Sequence, residues 1–286
     1  MEKQIKVALI VATTSGKIVY DYFLKNKYVD LVKVITFPDD STKPRHVVFP
    51  DLPNISKTGE ANRHLDELKS LNPDLIIVEG WSELLNPEIL TIPTMGTIGF
   101  HPSKLPYDRG RSVLAWQIEE NYPESAVTMF YYNQIPDGGD IIGQDLFKIE
   151  HNDYINDILD KLDKSIESLL RTYFPLIRLG LAPRKPQNIN EGTFRRLRTE
   201  KDSLIDWDKN SLLIFNKIRA ISNPYPLAKA YIESFEYSII RSEILDSFPF
   251  GKNTKPGTLI AKLFDQSLVI KTRDSFLRIL EYTKNN

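Results

Sequence analysis

Three short, mainly apolar runs in the first hundred residues constrain the fold more than any other feature of this chain. They occupy residues 5–11, 73–80 and 96–100, and the first two are rich in isoleucine, leucine and valine. Runs of this kind are typical of strands that are buried on both faces of a parallel sheet. Helical patterns follow the first run at 17–26 and precede the second at 62–71. This alternation predicts a doubly wound α/β domain.

Further segments extend this domain as far as a long helix. Residues 29–37 form another strand candidate, and the strand candidates 125–132 and 141–149 flank a turn as a hairpin or an edge pair. A stripe of isoleucine and leucine at helical spacing predicts the clearest helix of the chain at 153–180. We expect this helix to close the first domain. Residues 38–60 form a long irregular loop. Because long loops at the edge of an α/β sheet often bind ligands, we expect this one to contact substrate.

A second, smaller domain is predicted after a linker. Residues 181–192 have the proline, asparagine and glycine content of a linker, and a helix pattern follows at 209–222. Short strands are then expected at 228–232, 238–245, 257–263, 268–272 and 276–282. Strands at spacings of about ten residues are typical of a small β-barrel. We therefore predict two domains, 1–182 and 183–286.

Composition excludes several classes of protein. The chain has no cysteine, which removes disulfides, thiolate metal sites and cysteine nucleophiles. No window approaches the roughly 18 consecutive apolar residues of a membrane span, and the first apolar run is too short for a signal peptide. We expect a cytoplasmic protein.

The net charge of −1 conceals an asymmetry between the two predicted domains. Beyond residue 182 there are 18 lysines and arginines against 12 aspartates and glutamates, whereas the preceding part is acidic. This surplus is consistent with a solvated surface, or with a C-terminal part that helps to hold phosphates.

Two acid–base residues make the stretch 96–144 the candidate active site. His101 ends an apolar run, and Asp137 lies 36 residues later in a Pro-Asp-Gly-Gly turn. A histidine and a carboxylate that meet can transfer protons, and paired glycines let the backbone approach a ligand closely. A lone histidine is often structural, so the residues alone leave catalysis and packing both open.

Two reaction classes lack their sequence signatures. The nucleophile turn Gly-x-Ser-x-Gly of serine hydrolases is absent, and the four histidines lie too far apart to suggest a metal cluster. Group transfer to a substrate nucleophile remains. The turn 13–16 lacks the spaced glycines of a dinucleotide fingerprint, but Ser15 at this helix start could hold an anion or simply cap the helix.

Two stretches, IGFHPSKLPYDRGRS and YNQIPDGGDIIGQ, resemble the signature of the formyltransferase family that uses 10-formyltetrahydrofolate. That signature reads Asn-x-His-x-Ser-x-Leu-Pro, then Arg-Gly, then Asp-x-Gly-x-Ile. The matching residues are His101, Ser103, Leu105, Pro106, Arg109, Gly110, Asp137, Gly139 and Ile141. Residues 194–231 and 255–264 are similar to the C-terminal barrel of methionyl-tRNA formyltransferases and nucleotide-sugar N-formyltransferases. The resemblance thus covers nearly the whole chain.

The resemblance implies a Rossmann-like formyltransferase domain followed by an OB-like barrel. It also implies transfer of a formyl group from the folate cosubstrate to a primary amine, without a metal. His101 would stabilise the oxyanion of the tetrahedral intermediate. Asp137 would orient His101 and help to remove the amine proton.

The same resemblance implies where the pterin of the folate binds. The residues expected to bind it are Gly80, Trp81, Ser82, Gly139 and Asp140. Gly80 and Trp81 come at the end of an apolar run, where ligands sit in open α/β sheets. An aromatic residue such as Trp81 at a strand end is core packing about as often as it is a pocket wall.

Gly99 departs from the family motif, which has an asparagine at this position. The amide of that asparagine normally holds the formyl oxygen, and losing one such donor costs about a hundredfold in rate. Either another group replaces it, with Ser103, Asn133 and Ser82 as candidates, or the chain is a catalytically impaired folate-binding homologue. We favour replacement because the rest of the motif is intact.

Two acceptors fit a two-domain member of this family. A transfer RNA calls for a strongly basic surface, whereas a nucleotide-linked amino sugar needs only a few cations for its diphosphate. The charge balance therefore favours the sugar, with methionyl-tRNA as the alternative. The candidate substrate-binding residues are Ser15, Ser103, Arg109 and Arg111, with Lys17, Arg195 and Arg196 as further cations for the diphosphate. We expect a role in polysaccharide biosynthesis, with no nucleic-acid or membrane partner. The sequence is compatible with either a monomer or a homodimer.

Overall fold

The computed structural model describes residues 4–285. The chain divides into two compact units, each built from three segments. The first unit comprises Met1–Gly110, Ser125–Phe147 and Asp160–Phe194, and the second comprises Arg111–Glu124, Lys148–Leu159 and Arg195–Asn286.

A seven-stranded sheet forms the centre of the first unit. In chain order its strands are β1 (Ile5–Val11), β2 (Val29–Thr36), β3 (Ile55–Lys57), β4 (Leu75–Glu79), β5 (Thr97–His101), β7 (Glu124–Tyr131) and β8 (Ile141–Lys148). Between β5 and β7 lies β6 (Arg109–Gly110), a two-residue strand outside this sheet. The spatial order is β3-β2-β1-β4-β5-β7-β8. The pairs from β3 to β5 are all parallel, whereas β7 is antiparallel to β5.

Helices cover this sheet because both of its faces are apolar. The helices of the chain are α1 (Thr13–Leu24), α2 (Leu65–Leu71), α3 (Pro87–Thr91), α4 (Val113–Glu119), α5 (Ile155–Arg178), α6 (Glu200–Ser203) and α7 (Ser211–Ala220). Leu68 of α2 and Ile89 of α3 pack with Ile10 and Ile76 on one face. On α1, Phe23 meets Phe174 of α5 edge-on, with ring centroids 4.9 Å apart.

The second unit contains an antiparallel five-stranded sheet. After the short strand β9 (Phe194–Arg195), its strands are β10 (Ala228–Ile232), β11 (Phe235–Leu245), β12 (Leu259–Lys262), β13 (Leu268–Lys271) and β14 (Phe276–Lys284). Their order is β10-β11-β14-β13-β12, and every pair is antiparallel. The predicted fold class, a doubly wound sheet followed by a C-terminal domain of antiparallel strands, is confirmed.

The apolar residues spread through 109–120 predict a helix over that stretch, but the helix observed there begins later. Arg109–Gly110 forms β6, which pairs with β9, and the Arg109 amide donates to the carbonyl of Thr193 at 3.0 Å. Ser112 then adopts a left-handed conformation with φ of 55°, so α4 starts only at Val113. The pairing partner lies more than eighty residues away in sequence, which is why local patterns predicted helix here. No helix within 4–285 combines the length and apolar character that crossing a membrane requires.

We predict that Ile76→Ala destabilises the first unit strongly. Ile76 is fully buried in β4, between two parallel neighbours. Removing its side-chain atoms costs about 2 to 5 kcal/mol, because the sheet and its helices cannot collapse around the cavity. Urea unfolding measures the loss. Leu146→Ala, at a half-exposed position of β8, serves as the control and should cost about 1 kcal/mol or less; equal losses would contradict a core centred on β4.

Candidate active site

His101 is the last residue of β5 and is held from one side by the following loop. Its side chain is buried, and Nε2 lies 2.8 Å from the carbonyl oxygen of Asp108. A carbonyl only accepts, so Nε2 carries the proton in this contact. The other ring nitrogen, Nδ1, is therefore the one that faces the rest of the site.

Asp137 reaches His101 because a loop runs back along the sheet. β7 is antiparallel to β5, so its last residue, Tyr131, pairs with Ile98 near the start of β5. The loop 132–140 then returns towards the end of β5, where Asp137 Oδ1 lies 3.5 Å from His101 Nδ1. The second carboxylate oxygen, Oδ2, accepts from the amide of Gly110 at 2.9 Å. The two residues that the sequence predicted to meet are thus adjacent.

One amide side chain holds this loop from the other side. Gln187 Nε2 donates to the carbonyls of Asp137 at 3.0 Å and Gly139 at 2.6 Å. The sequence did not predict this residue, which lies in the stretch predicted as a linker. Gly139 leaves no space for a side chain, because a Cβ there would lie 1.7 Å from the carbonyl oxygen of Tyr131. The conformation of the loop is therefore set by protein contacts on both sides.

A tyrosine ring occupies the space beside Gly99. A Cβ on Gly99 would lie 2.2 Å from Cε1 and 2.8 Å from the hydroxyl oxygen of Tyr132. The ring is held by stacking on Phe130, with centroids 5.1 Å apart and planes inclined by 26°. No asparagine could stand at position 99 while Tyr132 keeps this position.

The three candidates for the missing amide each bond to a group other than Gly99. Ser103 Oγ donates to the carbonyl of Tyr107 at 2.7 Å. Asn133 Oδ1 accepts from the amide of Ile135 within its own turn, and Ser82 Oγ accepts from Lys43 Nζ at 3.0 Å. All three polar groups are therefore engaged elsewhere. No local pattern pointed to Tyr132, which lies 33 residues beyond Gly99.

The residues predicted to bind the pterin have protein contacts of their own. Gly80 has φ of +67° and would place a Cβ 2.3 Å from the carbonyl oxygen of Ala12, so its lack of a side chain follows from backbone crowding. Trp81 stacks on Phe37 at 4.8 Å and packs on the core beside β4. The backbone carbonyl of Asp140 accepts from the amide of Tyr131. Their role in folate binding stays a prediction.

Glu79 is a titratable residue of this region that sequence reasoning missed. It ends β4, is buried, and accepts a hydrogen bond from Ser15 Oγ at 2.8 Å. Burial raises the pKa of the Glu79 carboxyl to about 7, with Asp163 adding to the rise, while the bond from Ser15 and the charge of Arg45 oppose it. The Ser15 hydroxyl thus donates to a carboxyl group in this structure, and its predicted role in holding an anion stays a prediction.

The predicted cations are mostly paired within the chain. Arg109 Nη2 donates to the carbonyl of Ile189, and its Nε has no partner within 4–285. Lys17 pairs with Asp21 on α1. In the second unit, Arg111 is exposed and its backbone amide donates to the carbonyl of Arg195. Among the residues described, no three His, Asp or Glu side chains form a group that could hold a metal ion.

Comparison with known protein families decides the relationship of this chain. Residues 5–172 match the formyl transferase family, and residues 198–286 match the formyl transferase C-terminal domain. The chain belongs to the formyl transferase family. The predicted family and enzyme class, a formyltransferase, are thereby confirmed. The roles predicted for individual site residues stay predictions.

The chain is similar to members that act on different acceptors. It is 29% identical over 257 residues to the methionyl-tRNA formyltransferase of Staphylococcus aureus, covering 86% of this chain and 81% of that protein. It resembles the N-formyltransferase of Helicobacter canadensis, solved in complex with folinic acid and dTDP-3-aminofucose, with TM-score 0.69 and 21% identity over 99% of this chain and 100% of the other.

A third relative is longer. HypX from Aquifex aeolicus, solved in complex with tetrahydrofolic acid, matches with TM-score 0.72 and 18% identity over 100% of this chain. The chain spans about half the length of HypX, with 45% of that protein covered. At these identities the likeness to both solved structures establishes the fold.

We predict that the wild-type protein loses stability as pH rises through 7, and that Glu79→Gln removes this loss. A carboxyl group with a pKa of about 7 in the fold and 4.5 when unfolded binds its proton more tightly in the fold. Its contribution is therefore complete below pH 4.5 and is lost as pH rises through 7. Glutamine keeps the acceptor for Ser15 and has no proton to lose.

Thermal or urea unfolding at pH 4.5 to 8 checks this prediction. The unfolding free energy of wild type should fall relative to that of Glu79→Gln by up to about 3 kcal/mol across this range. Glu88→Gln, on the exposed face of α3, is the matched control and should run parallel to wild type. Parallel curves for Glu79→Gln as well would contradict a buried, protonated Glu79.

Proposed function

We propose that this formyltransferase moves the formyl group of 10-formyltetrahydrofolate to the primary amine of a nucleotide-linked amino sugar. The observation that carries the reaction is the approach of Asp137 Oδ1 to His101 Nδ1 at 3.5 Å. Asp137 lies in the loop 132–140, which brings it to His101 although the preceding strand β7 runs antiparallel to β5. A carboxylate and an imidazole in contact can together orient and move a proton.

The proposed reaction has one nucleophilic step and one proton transfer. The amine nitrogen attacks the formyl carbon, and the carbonyl electron pair moves onto oxygen. His101 stabilises this oxygen through Nδ1 when that nitrogen carries a proton, because Nε2–H is bound to the carbonyl of Asp108. Asp137 accepts a proton from the amine. The intermediate then collapses, the bond from carbon to N10 of the folate breaks, and that nitrogen takes up the proton that Asp137 accepted. Fixed donors at the developing oxyanion supply the largest part of such catalysis.

The charges of the second unit support a sugar nucleotide as the acceptor. Six of its eight arginines are held by carboxylates of the same unit in the pairs Arg195–Glu120, Arg196–Asp202, Arg198–Glu119, Arg241–Glu281, Arg273–Asp208 and Arg278–Glu243, whereas Arg111 is exposed. Arg219 is buried and donates to the carbonyl of Asp153 at 3.0 Å. Paired cations contribute little to the phosphate neutralisation that drives nucleic-acid binding. A single diphosphate needs far fewer free cations.

Initiator methionyl-tRNA is the second candidate acceptor. The curated relatives at 29% identity are methionyl-tRNA formyltransferases, and they match over most of both chains. A cytoplasmic location, a place in polysaccharide biosynthesis, a homodimeric state and the domain boundary after residue 182 stay predictions alongside the sugar acceptor.

A panel of acceptors tests the proposed function. Purified protein is incubated with 10-formyltetrahydrofolate and either UDP-, TDP- or GDP-linked amino sugars or initiator methionyl-tRNA, and the formylated product is detected by mass. We expect turnover with one class of amino sugar and little dependence on salt. Turnover with the transfer RNA, together with a steep loss of binding as salt rises, would overturn the sugar acceptor.

We predict that Asp137→Asn lowers kcat by about a hundredfold or more, because the amide cannot accept the amine proton. The amide oxygen can still accept from Gly110, so the loop keeps its contact. Steady-state rates with the acceptor identified by the panel measure the effect. Asp145→Asn, in β8, is the matched control and should keep the wild-type rate. An Asp137→Asn variant within threefold of wild type would remove Asp137 from the mechanism.

A further inference from the structure

Tyr132 belongs to the face of the sheet that carries the candidate site. Gly99 pairs with Phe130, and His101 pairs with Thr128, across β5 and β7. Tyr132 follows β7, and its amide donates to the carbonyl of Thr97 at 2.7 Å, which continues the ladder by one residue. Because alternate residues of a strand point to the same face, Gly99, His101, Phe130 and Tyr132 share a face.

The Tyr132 hydroxyl lies close to the position that the side-chain amide of an asparagine at 99 would occupy. Its oxygen is 2.8 Å from the position of a Cβ on Gly99. In asparagine the amide nitrogen and oxygen lie two bonds from Cβ, at a comparable distance. Position 99 therefore has no side chain where the family motif has an asparagine, and the hydroxyl of Tyr132 occupies the space that this asparagine would fill.

This hydroxyl has no hydrogen-bond partner within residues 4–285. The Tyr132 side chain is partly buried, and its hydroxyl oxygen is open to solvent, so the group is available to bond a ligand. Stacking on Phe130 fixes the ring of Tyr132, and the hydrogen bond from the Tyr132 amide to the carbonyl of Thr97 fixes its backbone. The orientation of the hydroxyl is therefore set by the protein in advance of any ligand.

The electrostatics keep this group a donor. Burial raises the pKa of the Tyr132 hydroxyl well above its usual value, and the charges of Asp137 and Glu79 raise it further. The phenol therefore stays protonated at neutral pH. A neutral donor that cannot ionise is suited to an oxygen that gains negative charge during reaction.

We propose that Tyr132 is a catalytic residue whose hydroxyl donates to the formyl oxygen of 10-formyltetrahydrofolate, in place of the asparagine amide of the family motif. This inference rests on formyl transfer from the folate, but it is independent of which amine is the acceptor. It also accounts for Gly99, because only glycine leaves room for the ring.

Tyr132→Phe is the direct test, since it removes the hydroxyl and keeps the ring. Two readouts are compared with those of wild type: kcat with whichever acceptor supports turnover, and the Kd values for 10-formyltetrahydrofolate and tetrahydrofolate. We expect kcat to fall about a hundredfold. Affinity for the formylated folate should fall about two- to tenfold while that for tetrahydrofolate stays unchanged, because only the former offers the formyl oxygen.

The adjacent variant Tyr131→Phe is the matched control. Tyr131 lies on the opposite face of β7, with its ring against the guanidinium of Arg184 at 3.5 Å. It should lose neither rate nor discrimination between the two folates. A Tyr132→Phe variant within threefold of wild type in kcat would overturn the proposal. So would a loss of affinity that is equal for both folates, since that would indicate packing and not a bond to the formyl group.

A reciprocal variant tests whether the two groups are equivalent. Gly99→Asn with Tyr132→Ala restores the family residue and removes the ring that would block it. We expect the kcat of this folded double variant to be at least tenfold higher than that of Tyr132→Ala alone. The second readout is the pair of Kd values, which should again show tighter binding of the formylated folate. A folded double variant no faster than Tyr132→Ala would contradict the equivalence. Should no sugar nucleotide be formylated, the proposed acceptor fails, and the two folate affinities still decide the role of Tyr132.

Discussion

The candidate site depends on one contact, the approach of Asp137 to His101 across two strands of opposite direction. A parallel neighbour of β5 would deliver its following loop to the same edge of the sheet directly. The antiparallel β7 delivers its loop to the other end, so the loop 132–140 has to run back. Gln187, Gly139 and the amide of Gly110 hold it there, so that the carboxylate lies beside the histidine.

The same returning loop accounts for the departure at Gly99. Its first residue, Tyr132, places an aromatic ring over the backbone of β5, which leaves no space for a side chain at 99. Glu79, at the end of the neighbouring strand, adds a carboxyl group that burial keeps partly protonated near neutral pH. The site therefore contains one imidazole, two carboxyl groups and one phenol, and the family motif specifies only the first of these and Asp137.

The sequence predicted those parts of the fold and site that depend on local pattern. β1 was predicted at its observed bounds, and the long helix to within two residues, because continuous apolar runs and helical stripes are local signals. The early start predicted for α4 failed since β6 pairs with a segment far along the chain. Tyr132 and Gln187 gave no signal for the same reason: their importance comes from contacts across the sheet and not from spacing.

A crystal structure with a stable 10-formyl analogue of tetrahydrofolate tests the central claim most directly, since it places the formyl oxygen among these groups. The account predicts this oxygen within about 3 Å of both the Tyr132 hydroxyl and the His101 imidazole, with Asp137 still beside His101. A bound analogue whose formyl oxygen lies more than about 5 Å from both side chains, beyond any direct hydrogen bond, would contradict it.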